Sequence, residues 1–374
     1  MIKRTLFKDI NDHLFKAKAI ILLGPRQTGK TTLIKSIVSS YEDVLFLDAD
    51  DPTIINLLNR PNTLEIRQII GGNKIVFIDE AQRIKDIGLT AKIITDQFKD
   101  VQLILSGSSS YELNQAMSEP LTGRKFSYLL LPVSWEEWQN NIGFVKSEQD
   151  LENRLVFSFY PDVLNNPENS IIVLKELSDS YLYKDILNYA NVKKPDEIVK
   201  LLQALSYQVG NEVSNRELGE IVGVDPKTIN RYIDILEKAF VVFRLSSYSG
   251  NLRNEIKASK KVYFFDNGVR NAVIGKYQML STRQDVGQLW ENFLMSERFK
   301  YLKYNRVYNN TYFWRTKQQQ EIDYVEDNNG QMFAYEFKWN DKRKAKIPIT
   351  FSKTYNSVNN IITRSNFREF IMPQ

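Results

Sequence analysis

The stretch Gly24-Pro25-Arg26-Gln27-Thr28-Gly29-Lys30-Thr31 restricts what this chain can fold into more than any other. An apolar run, Ala19-Ile20-Ile21-Leu22-Leu23, precedes it, and Thr32-Leu33-Ile34-Lys35-Ser36-Ile37-Val38 follows with helical periodicity. The spacing G-x-x-x-x-G-K-T between a strand and a helix is that of a phosphate-binding loop. Its glycines let the backbone curl around an anion, and the amide groups at the helix start point toward it. Lys30 would reach the terminal phosphates, and Thr31 would hold Mg²⁺ through its hydroxyl. Gly24, Pro25, Arg26, Gln27, Thr28, Gly29, Lys30, Thr31 and Thr32 are thus the candidate nucleotide contacts, with ATP and Mg²⁺ as the expected ligands.

A nucleotide loop needs an acidic partner. Lys8 to Lys18 reads as a helix before the first strand, and Val44-Leu45-Phe46-Leu47 reads as a second strand. A third strand, Lys74-Ile75-Val76-Phe77-Ile78, ends in Asp79-Glu80. Its unbroken apolar run fits a parallel strand covered on both faces. Asp79 fits the acid that positions Mg²⁺, and Glu80 fits the base that polarises an attacking water. This pair, with an extra strand between it and the phosphate loop, marks the hydrolytic branch of P-loop proteins. The next strand, Val101-Gln102-Leu103-Ile104-Leu105, runs into a serine-rich turn. Ser106 and Ser108 both qualify to touch the γ-phosphate or the water, and the sequence does not choose between them.

The remaining composition narrows the chemistry. The chain has 374 residues, no cysteine and one histidine, His13, which reads as a surface or packing residue. Disulfides, thiolate nucleophiles and cysteine-based metal sites are excluded, so catalysis must rest on carboxylates, lysine, arginine, hydroxyls and a bound cation. A formal charge of +5 is compatible with nucleic acid as a partner without demonstrating one. No apolar stretch has the length of a membrane span and no signal-peptide core is present, so the cytoplasm is the expected location.

Leu121-Thr122-Gly123-Arg124 is followed by an apolar strand and by Leu131-Pro132-Val133-Ser134-Trp135-Glu136-Glu137. Here the chain resembles the prokaryotic AAA-domain ATPases that carry a C-terminal domain of uncharacterised function. In that family the segment reads roughly L-x-G-R, an apolar strand, then L-x-P-L-S-x-x-E; Val133 stands where leucine is usual. The resemblance spans nearly the whole chain. It implies assembly into homo-oligomers and an arginine, in cis or from a neighbour, that stabilises transition-state charge. Arg124 is the first candidate and Arg26 the second; a surface or acid-paired arginine is the alternative.

Further on, Ser214 to Leu236 has the form of a helix-turn-helix. Ser214 and Glu217 match a capping box, Gly223 fits a left-handed turn, and Asp225-Pro226 fits a cap followed by a first-turn proline. Leu218, Ile221 and Val222 would form one buried face, and Ile229, Ile233 and Leu236 the other. Phe240 to Leu245 and Lys261 to Phe265 would supply the strands of a wing. Lys227 and Arg231 are the candidate DNA contacts, with protein contact as the alternative.

In the last third, Gly287 to Leu294 begins a helix, and Val307-Tyr308 and Tyr312 to Arg315 read as strands. Gln320 to Val325 and Phe333 to Lys338 flank an Asn-Asn-Gly turn and read as a hairpin. Glu291, Asp323, Glu336 and Lys338 resemble the D…(D/E)-x-K set of nuclease-like domains. That resemblance implies a second divalent cation on Glu291, Asp323 and Glu336, with Lys338 orienting water or steadying phosphate charge. The expected fold class is therefore α/β: a P-loop AAA-type ATPase domain over residues 1–140, a helical and winged-helix domain over 150–265, and a restriction-endonuclease-like domain over 266–374. DNA is the expected partner. The alternative is a nucleotide-gated switch that recruits proteins and whose nuclease-like domain is inert.

Overall fold

The computed structural model describes residues 1–108, 120–179, 194–250, 259–342 and 345–373. Contacts divide the chain into two compact units: Met1–Val133 with Lys238–Phe240, and Ser134–Glu237 with Val241–Gln374.

In the first unit, β1 (Ala19–Leu23), β2 (Val44–Asp48), β3 (Ile75–Asp79), β4 (Gln102–Gly107) and β5 (Lys125–Leu129) form one sheet in the order β2-β3-β4-β1-β5. All neighbouring pairs are parallel. Every residue of β1 and β4 is buried, as a parallel strand with both faces covered requires. The helices are α1 (Leu6–Asp12), α2 (Lys30–Val38), α3 (Pro52–Leu58), α4 (Thr63–Ile70) and α5 (Ile87–Gln97). Two details differ from the sequence reading. α1 ends at Asp12 and does not run on to Lys18, because Phe15 and Ala17 take left-handed backbone angles. The strand that separates β1 from β3 in space is β4; β2, which intervenes in sequence, lies at the sheet edge.

The second unit opens with α6 (Trp135–Ile142), capped reciprocally by Ser134 and Glu137. α7 (Phe144–Val156), α8 (Pro161–Asn165), α9 (Ser170–Leu177) and α10 (Pro195–Tyr207) follow. Helical periodicity in the sequence runs from Leu174 to Tyr189; the helix is described as far as Leu177, and Tyr181, Leu182 and the Tyr183-Lys184-Asp185-Ile186 stretch lie outside the described residues. Then come α11 (Asn215–Val222), α12 (Pro226–Lys238), α13 (Asn267–Val273), α14 (Val286–Tyr304), α15 (Ile349–Tyr355) and α16 (Phe367–Ile371). The strands are β6 (Glu212–Val213), β7 (Val242–Ser247), β8 (Lys260–Phe264), β9 (Asn310–Arg315), β10 (Glu321–Asn328), β11 (Gln331–Phe337) and β12 (Val358–Ile362).

These seven strands make one sheet, β12-β11-β10-β9-β7-β8-β6. β7 joins β9 in parallel through Ser246 and Ser247, opposite Tyr312 and Phe313. The sheet therefore runs across residue 266, where the sequence reading set a domain boundary. Val307-Tyr308 is not a strand; pairing begins at Asn310. The hairpin of β10 and β11 forms as expected, with β12 added in parallel beyond β11. A cluster of Trp135, Phe159, Trp290, Phe293 and Phe367 packs α6, α14 and α16 together, with ring centres 5.3 Å apart for Trp135 and Phe367. Buried Glu297 accepts a hydrogen bond from the Trp135 amide at 2.7 Å and pairs with Lys300 at 2.6 Å.

Candidate functional site

The phosphate loop is shaped by close approach. Gly24 has φ +153°, and a Cβ there would lie 2.0 Å from the Leu130 carbonyl oxygen, so only glycine fits. Gly29, at φ +87°, turns the chain into α2, whose first residues are Lys30 and Thr31. Lys30 is buried and its Nζ donates to the carbonyls of Gly24 at 3.0 Å and Pro25 at 2.9 Å, curling back over the loop. Thr28 Oγ1 donates to the Pro25 carbonyl at 2.9 Å. Arg4 was not singled out from sequence. Its guanidinium is buried and donates to the carbonyls of Thr28 at 2.8 Å and Leu131 at 2.6 Å, bracing the loop against the end of β5. Nothing local in the sequence marks it, because the contact joins residues 24 and 127 positions apart.

β3 sits two strands from β1, and parallel order brings its C-terminal acids to the loop's side of the sheet. Thr31 Oγ1 donates to Asp79 Oδ2 at 2.5 Å, and Ser106 Oγ donates to Asp79 Oδ1. Glu80 takes a left-handed backbone, φ +49°, and accepts hydrogen bonds from Gln82 Nε2 and from Ser108 Oγ at 3.3 Å. Gln82 also donates to Ser108 Oγ at 3.1 Å, and its Oε1 is buried with no hydrogen-bond partner among the described residues. The structure thus separates the two serines: Ser106 serves Asp79, and Ser108 serves Glu80. Gln82 is a residue the sequence reading missed, although its place two residues after Glu80 was open to view. A threonine hydroxyl touching a carboxylate beside a glycine-cradled helix start is a donor set that fits Mg²⁺ with a nucleoside triphosphate.

Arg124 immediately precedes the start of β5. Its carbonyl accepts from the amide of Ala19, the first residue of β1, whereas the phosphate loop follows the last, Leu23. At ~3.3 Å per strand residue this puts Arg124 about 16 Å from the loop of its own chain. Its side chain pairs with Asp96 at 2.6 Å. Arg26 and Thr32 lie in the loop and the first turn of α2, half-buried and exposed. His13 packs against Phe126 and meets the Tyr128 hydroxyl at 2.9 Å, as a packing residue does.

α11 and α12 form with the expected left-handed Gly223 between them. Asp225 caps α12 by accepting from the amides of Lys227 and Thr228. The Ser214 cap is one-sided: Ser214 accepts from the Glu217 amide, while the Glu217 carboxylate receives Gln208 Nε2. Ile221 is exposed, so the buried face of α11 is Leu218, Gly219 and Val222. Lys227 and Arg231 are exposed on α12, but Asp234 and Glu237 on the same helix are paired with Arg244.

A second charged centre lies in the seven-stranded unit. Lys261 on β8 is 1% exposed, and its ammonium donates to Glu321 Oε1 at 2.6 Å and to Glu291 Oε1 at 3.4 Å. Tyr263, also on β8, donates to the same Glu291 oxygen at 2.7 Å. Asp323 Oδ2 accepts from the Phe337 amide at 2.8 Å, and Lys338 pairs with Glu336 at 2.6 Å. Burial pushes the Glu291 carboxyl up to about 7, with Lys261 opposing and Asp323 reinforcing the rise. Burial also raises Asp323, and burial with the neighbouring Asp323 raises Glu336. Burial pulls Lys261 down, but Glu291, Asp323 and Glu321 together outweigh it and hold the ammonium above its ordinary value. Among the described residues, no group of three or more His, Cys, Asp or Glu side chains is arranged to hold a metal ion. Glu291, Asp323 and Glu336 lie near enough for the Asp323 charge to raise the other two. Lys261, Tyr263 and Glu321 were missed. The available signal was their spacing: Lys261 with Tyr263, and Glu321 with Asp323, share a strand face two residues apart.

Among the described residues no helix is long and apolar enough to cross a membrane. Residues 16–139 match the family described as AAA domain. Residues 148–279 match a domain of unknown function (DUF8612), and residues 286–370 match another (DUF4143). An uncharacterized protein of Mycobacterium tuberculosis, Rv2008c, is 26% identical over 328 residues, covering 87% of this chain and 71% of that one. An uncharacterized protein of Methanocaldococcus jannaschii, MJ1544, is 22% identical over 344 residues, covering 86% and 75%. Among solved structures, the Walker-type ATPase PABY2304 of Pyrococcus abyssi aligns with a TM-score of 0.49 at 14% identity, covering 73% of this chain and 96% of that one. The match over residues 16–139 makes the N-terminal region similar to an AAA domain.

Proposed function

We propose that this protein hydrolyses ATP at the phosphate loop and uses the cycle to act on DNA. The observation that carries the first half is the pairing of Thr31 with Asp79 beside a glycine-cradled helix start, with Glu80 next in the chain. When bound there, Mg²⁺ would neutralise phosphate charge. Thr31 and Asp79 would hold that ion, and Lys30 would leave the Gly24 and Pro25 carbonyls for the terminal phosphates. Glu80 would accept a proton from the attacking water, with Gln82 and Ser108 fixing the direction its carboxylate faces. Ser106, through Asp79, would steady the ion-binding side of the same pocket.

Support for the second half comes from α12, where Lys227 and Arg231 are exposed on the second helix of a helix-turn-helix flanked by the β7–β8 strand pair. In a ring, Arg124 would act only on a neighbour's nucleotide, since its own is out of reach. A second reading is a nucleotide-gated switch that recruits a protein. It is favoured by Asp234 and Glu237, which follow Lys227 and Arg231 along α12 and whose two charges are only half offset by Arg244. The deciding measurement is the ATPase rate of the full chain against duplex, branched and single-stranded DNA, with Glu80→Gln as the control. A motor on DNA shows stimulation by at least one of them. A slow rate indifferent to all three leaves the switch.

A further inference from the structure

The nuclease-like residue set implies a divalent cation held by Glu291, Asp323 and Glu336. The side chains around these acids do not fit one. A hard cation needs carboxylate oxygens that converge with room for water, at ~2.0–2.6 Å from the ion. Here each acid already answers to a protein donor. Glu291 Oε1 takes both the Lys261 ammonium and the Tyr263 hydroxyl, and a Cβ on Gly210 would lie only 3.1 Å from that oxygen. Asp323 takes the Phe337 amide, and Glu336 takes Lys338. Glu321, at the start of β10, takes Lys261 and lies 3.8 Å from Arg315.

Lys261 is the member that decides the matter. Two strands, β7 and β9, separate its strand from β10 in the sheet, yet its ammonium meets Glu321 of β10 at 2.6 Å and lies 5.4 Å from the centre of the Phe313 ring. It ends on acids from α14 and β10. A lysine this buried stays charged only where carboxylates surround it. Two of the carboxylates that hold Lys261, Glu291 and Asp323, are ones a metal would need, and a divalent ion placed among them would face an ammonium of like charge in a low-dielectric site.

We propose that the Lys261 ammonium occupies the place of the divalent cation, so that Glu291, Glu321 and Asp323 form a metal-independent charge cluster joining β8, β10 and α14. The cluster fastens the strands before residue 266 to those after it, and metal-activated cleavage of nucleic acid does not occur at these residues. This inference is independent of the ATPase reading, since the phosphate loop belongs to the other unit.

The test is Mn²⁺ binding to the full chain without nucleotide, followed by the electron paramagnetic resonance signal of free Mn²⁺. Wild type, Asp323→Asn, Lys261→Met and the double variant are compared, so that binding at Thr31 and Asp79 cancels. The expected result is identical isotherms for wild type and Asp323→Asn. Lys261→Met then gains an equivalent that the double variant lacks. A wild-type equivalent lost in Asp323→Asn overturns the proposal, as does a folded Lys261→Met that binds no more than wild type. If circular dichroism shows Lys261→Met unfolded, the comparison of wild type with Asp323→Asn decides alone.

Discussion

At the phosphate loop, Lys30 and Thr31 are adjacent in the chain, and the rest of the site comes from the ends of β3 and β4. The charge cluster of the second unit draws instead on β8, α14, β10 and the end of β11, residues as far apart as Lys261 and Lys338. The bonds differ in kind as well. In the loop, Lys30 rests on carbonyls of its own turn and Thr31 on one carboxylate, partners that a phosphate or an ion can displace. In the cluster, Lys261 is sealed among carboxylates, and removing either side would strand a buried charge. One centre is arranged to exchange partners and the other to keep them. Substitutions in the first should therefore cost turnover, and those around the second should cost stability.

The largest effect is expected from Glu80→Gln, which should lower ATP turnover by ~10³-fold while nucleotide binding persists. Steady-state phosphate release with a separate binding titration checks it, and turnover within tenfold of wild type would remove Glu80 from the role of base. Next, Gln82→Ala should lower kcat about tenfold through loss of Glu80 orientation, with KM for ATP unchanged. A rise in KM alone would make Gln82 a binding residue and blur the contrast drawn above.

In the second unit, Asp285 at the start of α14 pairs with Arg270 at 2.7 Å and with Arg283 at 2.8 Å. Burial would raise its pKa, but those two guanidinium groups outweigh it and hold the carboxyl well below the usual range. A depressed folded pKa contributes stability above the unfolded value that is lost as pH falls. Asp285→Asn should therefore lower stability by ~2 kcal/mol near neutral pH, on the scale of hydrogen bonds to charged groups. The gap from wild type should narrow as pH drops below about 4, the unfolded carboxylate range. Denaturant melts across pH read both, and a pH-independent gap would reassign the effect to packing. The smallest effect is at α12, where Lys227→Ala with Arg231→Ala should reduce the slope of log K against log salt for duplex DNA by about 1 to 2. An unchanged slope would take DNA off that helix.

Much of the first unit was legible because its signals are local. The loop spacing, the apolar strands and the Asp79-Glu80 pair each occupy a few consecutive residues, and the observed strands fall on them. Ser106 and Ser108 could not be told apart because both lie at one strand end, and only the positions of Asp79 and Glu80 assign them. Ile221 looked buried by helical period, but the side of α11 it occupies faces no partner that covers it. Whether Arg124 would act in cis or from a neighbour was open in sequence, and parallel pairing with β1 puts it at the other end of the sheet from its own loop. The Glu291, Asp323, Glu336 and Lys338 set was legible, but Lys261, which meets Glu291, was not, because it lies 30 residues from the nearest of them in sequence.

The sequence by itself determined the phosphate loop, the acids that face it and the helix-turn-helix, since each depends on backbone geometry and spacing within a few residues. Only the tertiary structure decided which end of the sheet Arg124 occupies, how Gln82 holds Glu80, and which cation sits among the buried carboxylates. Strand order and the reach of a long side chain fix those, and neither is written in any local stretch of chain.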